Sequence, residues 1–317
     1  MSHQNPPPFP TRRWPPVLNA QSFIVAAIQT VSNVPSCIEE TESAIIDNMQ
    51  TVERLVAEAA KSGAELVVLP ENVLTFGSRK PFTLEAQQQW LAAFSVLAQH
   101  KGIWLVAGSL PLSNFQWQIG DNCKDLEWSQ AAGLPYATTV VFDKKGKLRG
   151  VYQKNHLFDA NIADATGQYR ESDIFQRGRH PAVVETPWGK MGIAICFDLR
   201  FPQYFQQLCA LGTDFIVLPS AFTYTTGKAH WEILLRARAI ENQTAMVGVN
   251  QGGDHDSKRK TWGDSMIVDA WGNVLARVGN ALTADDSQLG ESIVLAELKL
   301  AGQRAIRESM PLVAPLL

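Results

Sequence analysis

The chain has 317 residues, 45% of them hydrophobic, and a formal net charge of −3, which allows one large α/β domain or two ordinary ones with a substantial core. Its nearest approach to a basic block is the short run Lys258, Arg259 and Lys260, and its longest apolar runs have the length of strands. We therefore expect neither a nucleic acid nor a membrane as a partner.

Proline interrupts residues 1–21 every few positions, so neither the apolar region of a signal peptide nor an amphipathic transit helix can form there. We interpret this segment as a mobile tail. The four cysteines, Cys37, Cys123, Cys196 and Cys209, lack CxxC spacing in a chain too large to need disulfide bonds. This pattern predicts free thiols in a reducing compartment, and hence a cytoplasmic protein.

From residue 23 onward, short β-branched runs alternate with amphipathic stretches. Buried strands are predicted at 23–30, 65–70, 103–108, 138–143, 192–196, 215–219, 245–250 and 265–270. Helices are predicted at 39–62, 84–100 and 228–243. The segment 114–136, rich in Gln, Asn and Gly, is predicted to be a surface loop.

Two segments of the chain share one pattern. Residues 63–70, GAELVVLP, and 212–219, GTDFIVLP, each contain a glycine that would stop a helix, an acidic residue, a buried strand and a proline. This repeat predicts two similar layers, each a sheet covered by helices, packed sheet against sheet. No linker divides residues 20 to 300, so a single domain is expected.

Cys196 is the strongest candidate for a catalytic residue, because it ends the apolar run GIAIC and precedes a polar segment. Residues at the carboxyl ends of strands lie where open α/β folds bind ligands, so a cysteine there is placed for nucleophilic attack. Cysteine is also among the most buried residue types, which keeps a core thiol as the alternative. Asp198 and Arg200, just beyond it, are interpreted as a structural ion pair.

Glu71 and Lys154 stand in similar places along the chain. Glu71 follows the buried run LVVLP, and a carboxylate at the edge of an apolar sheet suits proton transfer, although it could instead cap a helix or form a turn. Lys154 follows a predicted strand at 148–153, where a lone lysine would ordinarily project into water.

The sequence lacks the motifs of several other enzyme classes. It contains no GxSxG, HExxH or Walker A motif, and its six histidines lack metal-ligand spacing. His156 is nearest to a plausible site, with a hydrogen-bonded structural histidine as the alternative. No metal, nucleotide or flavin cofactor is implied.

Three segments, LPEN around Glu71, YQKNHLFD around Lys154 and GIAICFDLRFP around Cys196, resemble the three catalytic blocks of the carbon–nitrogen hydrolase (nitrilase-like) superfamily in the same chain order. The resemblance covers residues 22–300 and implies a single-domain, four-layer α-β-β-α sandwich. Residues 301–317 are left as a C-terminal tail that could pack at a dimer interface. A homodimer or higher homo-oligomer is implied as well.

The resemblance also implies roles for individual residues. Cys196 would be the nucleophile, Glu71 the general base and acid, and Lys154 an electrostatic group beside the backbone N–H of Phe197. Glu171 matches a second glutamate that supports the lysine. The substrate pocket is expected to be lined by Ser220, Ala221, Phe222 and Thr223.

The segments at 219–243 and 263–272 resemble the branch that contains deaminated glutathione amidases and ω-amidases. Where that branch often has tyrosine or histidine, this chain has Phe197 and Asp264, which leaves the substrate open. We expect hydrolysis of a primary amide of a small carboxylated metabolite to carboxylate and ammonia through a cysteine thioester, with deaminated glutathione as the first candidate. The alternatives are an ω-amidase on α-keto acid amides, a nitrilase, an N-carbamoyl hydrolase, or a non-enzymatic scaffold that retains the fold.

Overall fold

The computed structural model describes residues 22–78, 81–116, 127–128, 133–279 and 289–312. The predicted N-terminal tail and most of the predicted 114–136 loop lie outside these ranges. Within them, the α-helices are α1 (Thr41–Lys61), α2 (Leu84–Lys101), α3 (Pro202–Ala210), α4 (Tyr224–Asn242) and α5 (Leu300–Ser309), and short 3-10 turns occupy Ile38–Glu40, Glu171–Asp173 and Cys196–Arg200.

The strands of the described residues, in chain order, are β1 (Ser22–Gln29), β2 (Leu66–Val68), β3 (Trp104–Val106), β4 (Leu110–Leu112), β5 (Phe115–Gln116), β6 (Glu127–Trp128), β7 (Tyr136–Phe142), β8 (Leu148–Gln153), β9 (Asp159–Asn161), β10 (Gln168–Arg170), β11 (Ala182–Thr186), β12 (Gly189–Ile193), β13 (Phe215–Ser220), β14 (Ala245–Asn250), β15 (Gly252–Asp254), β16 (Lys260–Trp262), β17 (Met266–Val268), β18 (Val274–Arg277) and β19 (Ser292–Lys299). The eight predicted buried strands and the predicted strand at 148–153 are present, and the other ten strands were not predicted.

The first sheet has the order β19-β1-β2-β3-β7-β4, with β8 paired to β7. Side chains of β1 alternate between its two faces, as the period of a strand requires. Phe23, Val25 and Ala27 enter the core between the sheets, whereas Ala26 and Ile28 pack towards α1 and α2. Both faces of this sheet are therefore covered.

The second sheet has the order β11-β12-β13-β14-β17-β18, with β12, β13 and β14 parallel. It packs against the first sheet through aromatic side chains. The Phe23 ring lies 5.1 Å from that of Phe215 and stacks on Trp188 at 4.4 Å between ring centroids. Since helices cover the outer faces, the predicted four-layer α-β-β-α sandwich is confirmed.

The repeat seen in the sequence corresponds to two equivalent units, β1-α1-β2-α2-β3 and β12-α3-β13-α4-β14. A glycine with a positive φ follows the helix in each unit, Gly63 at 92° and Gly212 at 86°. A residue with a Cβ is strained in this conformation, which explains why both copies of the pattern begin with glycine.

Helix boundaries follow local capping. The Thr83 side chain accepts a hydrogen bond from the N–H of Ala86 at 3.2 Å, which starts α2 at the predicted position. Helix α4 begins at Tyr224 rather than at residue 228, because Thr223 caps it through the N–H of Thr226 at 3.3 Å.

Helices α3 and α5 were not predicted from the sequence. Helix α5 begins at residue 300 and runs through the first part of the segment 301–317 assigned to a C-terminal tail, and its buried face includes Gln303 and Arg307. Gln303 donates to the carbonyl of Asp214 at 2.6 Å, and Arg307 donates to that of Gln243 at 3.1 Å. Two of its three buried side chains are polar, so the spacing of the apolar residues alone did not reveal the helix.

None of the helices in the described part of the chain combines the length and apolar character that crossing a membrane requires.

Candidate active site

The three strongest sequence candidates meet at one place, because each lies just beyond the carboxyl end of a strand. Glu71 follows β2, Lys154 follows β8 and Cys196 follows β12. Lys154 Nζ lies 2.6 Å from Glu71 Oε1, and both side chains are almost fully buried. Cys196 lines the same cavity as Glu71 and Lys154, and the charge of the Glu71 carboxylate acts on its thiol. The predicted convergence of these residues is thus present in the structure.

Glu171, the fourth candidate, lies on the other side of the same ammonium. Lys154 Nζ lies 2.9 Å and 2.8 Å from the two carboxyl oxygens of Glu171. The N–H of Phe158 donates to Glu171 Oε2 at 2.6 Å, so this carboxyl group is fixed from two directions. It enters the site on the turn that follows β10.

Burial would by itself lower the pKa of Lys154, but the charges of Glu171 and then Glu71 outweigh it and hold this pKa well above its ordinary value. The amine is therefore a permanent cation at neutral pH. Burial raises the pKa of the Glu171 carboxyl, and the Lys154 ammonium opposes that shift.

Burial raises the pKa of the Cys196 thiol well above its ordinary value, and the carboxylate of Glu71 raises it further. The Lys154 ammonium and a hydrogen bond from the backbone of Ala221 act in the opposite direction. In the resting site the sulfur therefore carries its proton and needs a base to become a nucleophile. Glu71 is the carboxylate whose charge acts on it across the same cavity.

The backbone at Cys196 is strained, with a φ of 41°. Such a conformation costs a residue with a Cβ about 1–3 kcal/mol and persists only where its surroundings hold it. Cys196 begins the 3-10 turn directly after the extended residue Ile195, so the chain makes a sharp bend at the sulfur-bearing residue.

Asp198 holds this bend. Its Oδ2 accepts hydrogen bonds from the N–H of Ile195 at 2.8 Å and from the Tyr152 hydroxyl at 2.7 Å. Its Oδ1 accepts from the N–H of His156 at 3.1 Å and lies 2.7 Å from Nδ1 of the same residue. One buried carboxyl group therefore connects the segment of Lys154 to the segment of Cys196. His156 is the hydrogen-bonded structural histidine of the alternative interpretation.

The predicted ion pair between Asp198 and Arg200 is wrong. Arg200 Nη1 lies 3.2 Å from Nδ1 of His230, and its guanidinium carbon lies 5.9 Å and 5.4 Å from the ring centroids of Phe197 and Phe222. The bend at Cys196 turns the two side chains to different surroundings, because Asp198 is buried against Tyr152 and Arg200 remains partly exposed.

A cavity of about 500 Å³ opens from the three central residues, and the predicted pocket segment contributes to only part of its lining. Ala221 and Thr223 line it. Ser220 instead accepts the N–H of Glu71 at 3.3 Å through its backbone carbonyl, and Phe222 packs on Trp231 at 5.1 Å between ring centroids.

Neither of the two positions where the chain departs from the related branch lines the cavity. The Phe197 ring packs against Phe158 at 5.0 Å between ring centroids, and its backbone N–H makes no hydrogen bond within the described ranges. Asp264 is buried and held by Arg277 at 2.5 Å, and it is not among the residues that line the cavity.

Sequence reasoning missed two contributors to the site. The side-chain amide of Gln251 donates to the carbonyl of Glu71 at 3.1 Å and to the Ser32 hydroxyl at 2.8 Å. Arg259 lines the cavity. Gln251 directly follows β14, so the rule that selected Glu71 and Cys196 would have found it, whereas Arg259 was considered only as part of a basic run.

Within the described ranges, no group of three His, Cys, Asp or Glu side chains is arranged to hold a metal ion.

The profile of the carbon-nitrogen hydrolase family matches residues 24–308. The chain therefore belongs to this family, and its class is that of hydrolases acting on carbon–nitrogen bonds other than peptide bonds. The resemblance stated from the three sequence blocks is confirmed.

Two similar proteins are deaminated glutathione amidases. The chain is 37% identical to the deaminated glutathione amidase of Yersinia enterocolitica over 84% of this chain and 86% of that protein. It is 36% identical to the deaminated glutathione amidase of Mus musculus over 84% of this chain and 77% of that protein.

Solved structures share the fold. The NitFhit protein of C. elegans aligns with a TM-score of 0.74 at 30% identity over 93% of this chain and 65% of that chain, so this chain spans less than two thirds of that relative. Nit3 of Saccharomyces cerevisiae, a member of branch 10 of the nitrilase superfamily, aligns with a TM-score of 0.72 at 27% identity over 92% of this chain and 95% of that chain.

Proposed function

We propose that this protein hydrolyses deaminated glutathione through a thioester on Cys196. The observation that carries the proposal is the contact of one buried ammonium, Lys154, with the carboxyl groups of Glu71 and Glu171, beside a protonated thiol that needs a base. The choice of substrate is supported by relatives at 31–37% identity that are named deaminated glutathione amidases.

The substrate's chemistry corrects one part of the expectation from sequence. Deaminated glutathione is the tripeptide glutathione with a keto group in place of its α-amino group, and both of its amides are secondary. Cleavage at the amide of its glutaryl half yields 2-oxoglutarate and cysteinylglycine, so the leaving group is an amine and no ammonia is formed. Ammonia is the product only if the substrate is a primary amide such as α-ketoglutaramate.

In the first half-reaction, Glu71 accepts the thiol proton as the sulfur attacks the amide carbonyl carbon. The carbonyl oxygen becomes an anion, which the Lys154 ammonium and the backbone N–H of Phe197 stabilise. Glu71 returns the proton to the amide nitrogen, the carbon–nitrogen bond breaks and the amine leaves. The acyl group remains on Cys196 as a thioester.

In the second half-reaction, Glu71 takes a proton from a water molecule that attacks the thioester carbon. The same two donors stabilise the second oxyanion, and the thiolate leaves and recovers its proton from Glu71. Lys154 cannot act as the nucleophile, because its amine is held protonated. A donor of this kind in a dry site lowers the activation barrier by about 3 kcal/mol, which corresponds to about a hundredfold in rate.

The volume of the cavity favours a substrate larger than a simple amide. At about 500 Å³ it falls in the range of about 300–1,000 Å³ that is typical of sites for drug-sized ligands. An ω-amidase acting on α-ketoglutaramate would use the same acyl half and the same residues, and would leave much of this volume to solvent.

The test is a product assay with deaminated glutathione, α-ketoglutaramate, a simple nitrile and an N-carbamoyl amino acid. Cysteinylglycine, 2-oxoglutarate and ammonia are quantified separately. We expect cysteinylglycine and 2-oxoglutarate in equal amounts from deaminated glutathione. Cys196→Ala should abolish both, while Cys37→Ala, which removes an exposed thiol, should leave them unchanged. Faster turnover of another substrate would move the assignment to it, and no turnover of any would favour the scaffold interpretation.

The homo-oligomer and the cytoplasmic location stay predictions. A dimer is supported by large apolar side chains exposed on and beside α4, namely Ile233, Ile240 and Trp271. Sedimentation of the purified chain at several concentrations would test it, and a monomer throughout would contradict it.

A further inference from the structure

The hairpin formed by β15 and β16 supplies one wall of the cavity, through Arg259, Lys260 and Thr261. A histidine inside the hairpin fixes it to the rest of the domain. His255 Nδ1 lies 2.9 Å from the carbonyl oxygen of Ser32, and its Nε2 lies 2.7 Å from the Thr261 hydroxyl. The backbone that carries the side chains of this wall is therefore fixed by hydrogen bonds.

Arg259 has spare hydrogen-bonding capacity. Its Nη1 lies 3.4 Å from both the carbonyl oxygen of Gly77 and Oδ2 of Asp256, which are long distances for hydrogen bonds. Its Nε and Nη2 donate to no other group among the described residues. A guanidinium presents five N–H donors in a planar fork that matches a carboxylate. Arg259 thus keeps one edge of this fork open at the cavity.

The position of Gly77 fits this arrangement. A Cβ added at Gly77 would collide with Nη1 of Arg259, so the guanidinium packs directly on the glycine backbone. Gly77 closes the turn that begins at Glu71. Arg259 therefore bridges the hairpin wall and the turn that carries a catalytic candidate.

The charges in the cavity are unevenly distributed. At its inner end the single ammonium of Lys154 is shared by two carboxyl groups, Glu71 and Glu171, so this end offers no excess positive charge. The hairpin wall carries Arg259 and Lys260, and their aspartate partners, Asp256 at 3.4 Å and Asp254 at 3.7 Å, are not among the residues that line the cavity. An amide that also bears a carboxylate is therefore drawn with its amide inward and its carboxylate towards the wall.

We propose that Arg259 binds a carboxylate of the substrate through its open edge and so selects anionic amides over neutral ones. This inference rests on the proposed function, because it names the group that recognises the acidic part of the substrate. The expected contact is a bidentate pair from Nε and Nη2 to the carboxylate oxygens.

Deaminated glutathione has two carboxylates that Arg259 could bind, one on the keto acid and one on the terminal glycine. An analogue whose glycine carboxylate is replaced by a carboxamide separates them. If the glycine carboxylate is bound, the wild type prefers the acid to the carboxamide and Arg259→Gln abolishes the preference. If the keto acid is bound, Arg259→Gln slows both compounds and α-ketoglutaramate equally.

The experiment compares wild type, Arg259→Gln, Arg259→Lys and Lys258→Gln by kcat and KM on these three amides and on a neutral aliphatic amide. We expect Arg259→Gln to reduce the ratio of kcat/KM for the bound anionic amide to that for the neutral amide by about 10- to 100-fold, chiefly through KM. Arg259→Lys should lose less, because it keeps the charge without the fork. Lys258→Gln removes an equal charge from the same hairpin outside the cavity lining and should keep the wild-type ratio.

Calorimetry on Cys196→Ala, with and without Arg259→Gln, measures the binding of deaminated glutathione directly and does not depend on its hydrolysis. Weaker binding in the double variant supports the inference even if another amide proves to be the substrate. The inference is overturned if Cys196→Ala binds no carboxylated ligand, if Arg259→Gln changes selectivity no more than Lys258→Gln, or if it slows the neutral amide as much as the anionic ones.

Discussion

The backbone N–H of Glu71 donates to the backbone carbonyl of Ser220 at 3.3 Å. Both residues follow the proline that ends their copy of the repeated pattern, Glu71 after β2 in the first sheet and Ser220 at the end of β13 in the second. The two halves of the sandwich are therefore joined by a main-chain hydrogen bond at the active-site edge. The position of the carboxylate depends on how the two sheets pack.

Replacement of the carboxylate tests its role as base. We expect Glu71→Gln to lower kcat by about a hundredfold or more, because a carboxamide cannot accept the thiol proton. Steady-state kinetics with deaminated glutathione measure this. Glu58→Gln, on the exposed face of α1, is the control and should be unaffected. A kcat within a few-fold of wild type would remove Glu71 from the mechanism.

The pKa of the Cys196 thiol should respond in opposite directions to its two charged neighbours. Since the Glu71 carboxylate raises it and the Lys154 ammonium lowers it, Glu71→Gln should lower this pKa and Lys154→Met should raise it further. The thiolate absorbance near 240 nm, taken as a difference from Cys196→Ala in the same background, gives the value. Shifts of the same sign in both variants would contradict this electrostatic account.

Removal of the central ammonium should destabilise the fold. Lys154→Met leaves two buried carboxyl groups without their cation, at a cost of about 3–5 kcal/mol at neutral pH. Adding Glu171→Gln removes one of those carboxyl groups and should recover part of the loss. Urea unfolding at pH 7 measures both, with the exposed Lys144→Met as control. A double variant less stable than Lys154→Met would contradict the prediction.

The stability of Lys154→Met relative to wild type should also depend on pH. Without Lys154, burial and the charge of Glu71 raise the pKa of Glu171, while the hydrogen bond from the Phe158 N–H still lowers it. A raised folded-state pKa favours the folded state below the unfolded value of about 4.3, and this contribution is lost as pH rises. The stability difference between wild type and Lys154→Met should therefore shrink on acidification. A gap that widens towards low pH would count against this explanation.

Asp198 should act as a positioning residue. Asp198→Asn replaces one acceptor oxygen by a donor among Ile195 N–H, His156 and the Tyr152 hydroxyl, and we expect a loss of about 1–3 kcal/mol in stability. If the bend at Cys196 loosens, kcat should fall with little change in KM. Tyr152→Phe removes one of these bonds and should show a smaller effect of the same kind. A loss of stability with unchanged kcat would limit Asp198 to a structural role.

Local patterns in the sequence were sufficient for nine of the nineteen strands of the described residues and for α1 and α2, and the resemblance to a known family indicated which residues end up together. Glu71 and Lys154 follow β2 and β8 of the first sheet, and Cys196 follows β12 of the second. Each therefore lies at the carboxyl end of a strand, and the packing of the two sheets brings them together. The paired glycines Gly63 and Gly212 likewise revealed a duplicated unit, because a positive φ at a helix end depends on local backbone geometry.

By itself, then, the sequence determined the four-layer architecture and the candidates at its strand ends, since strand period and helix stops are properties of neighbouring residues. Only the tertiary structure decided which partner each polar group takes. Asp198 bonds to Tyr152 and His156 instead of the expected Arg200. Helix α5 has a buried face that includes Gln303 and Arg307, and Arg259 lies on the cavity wall. These contacts join segments far apart in the chain, and they depend on how the sheets and loops pack.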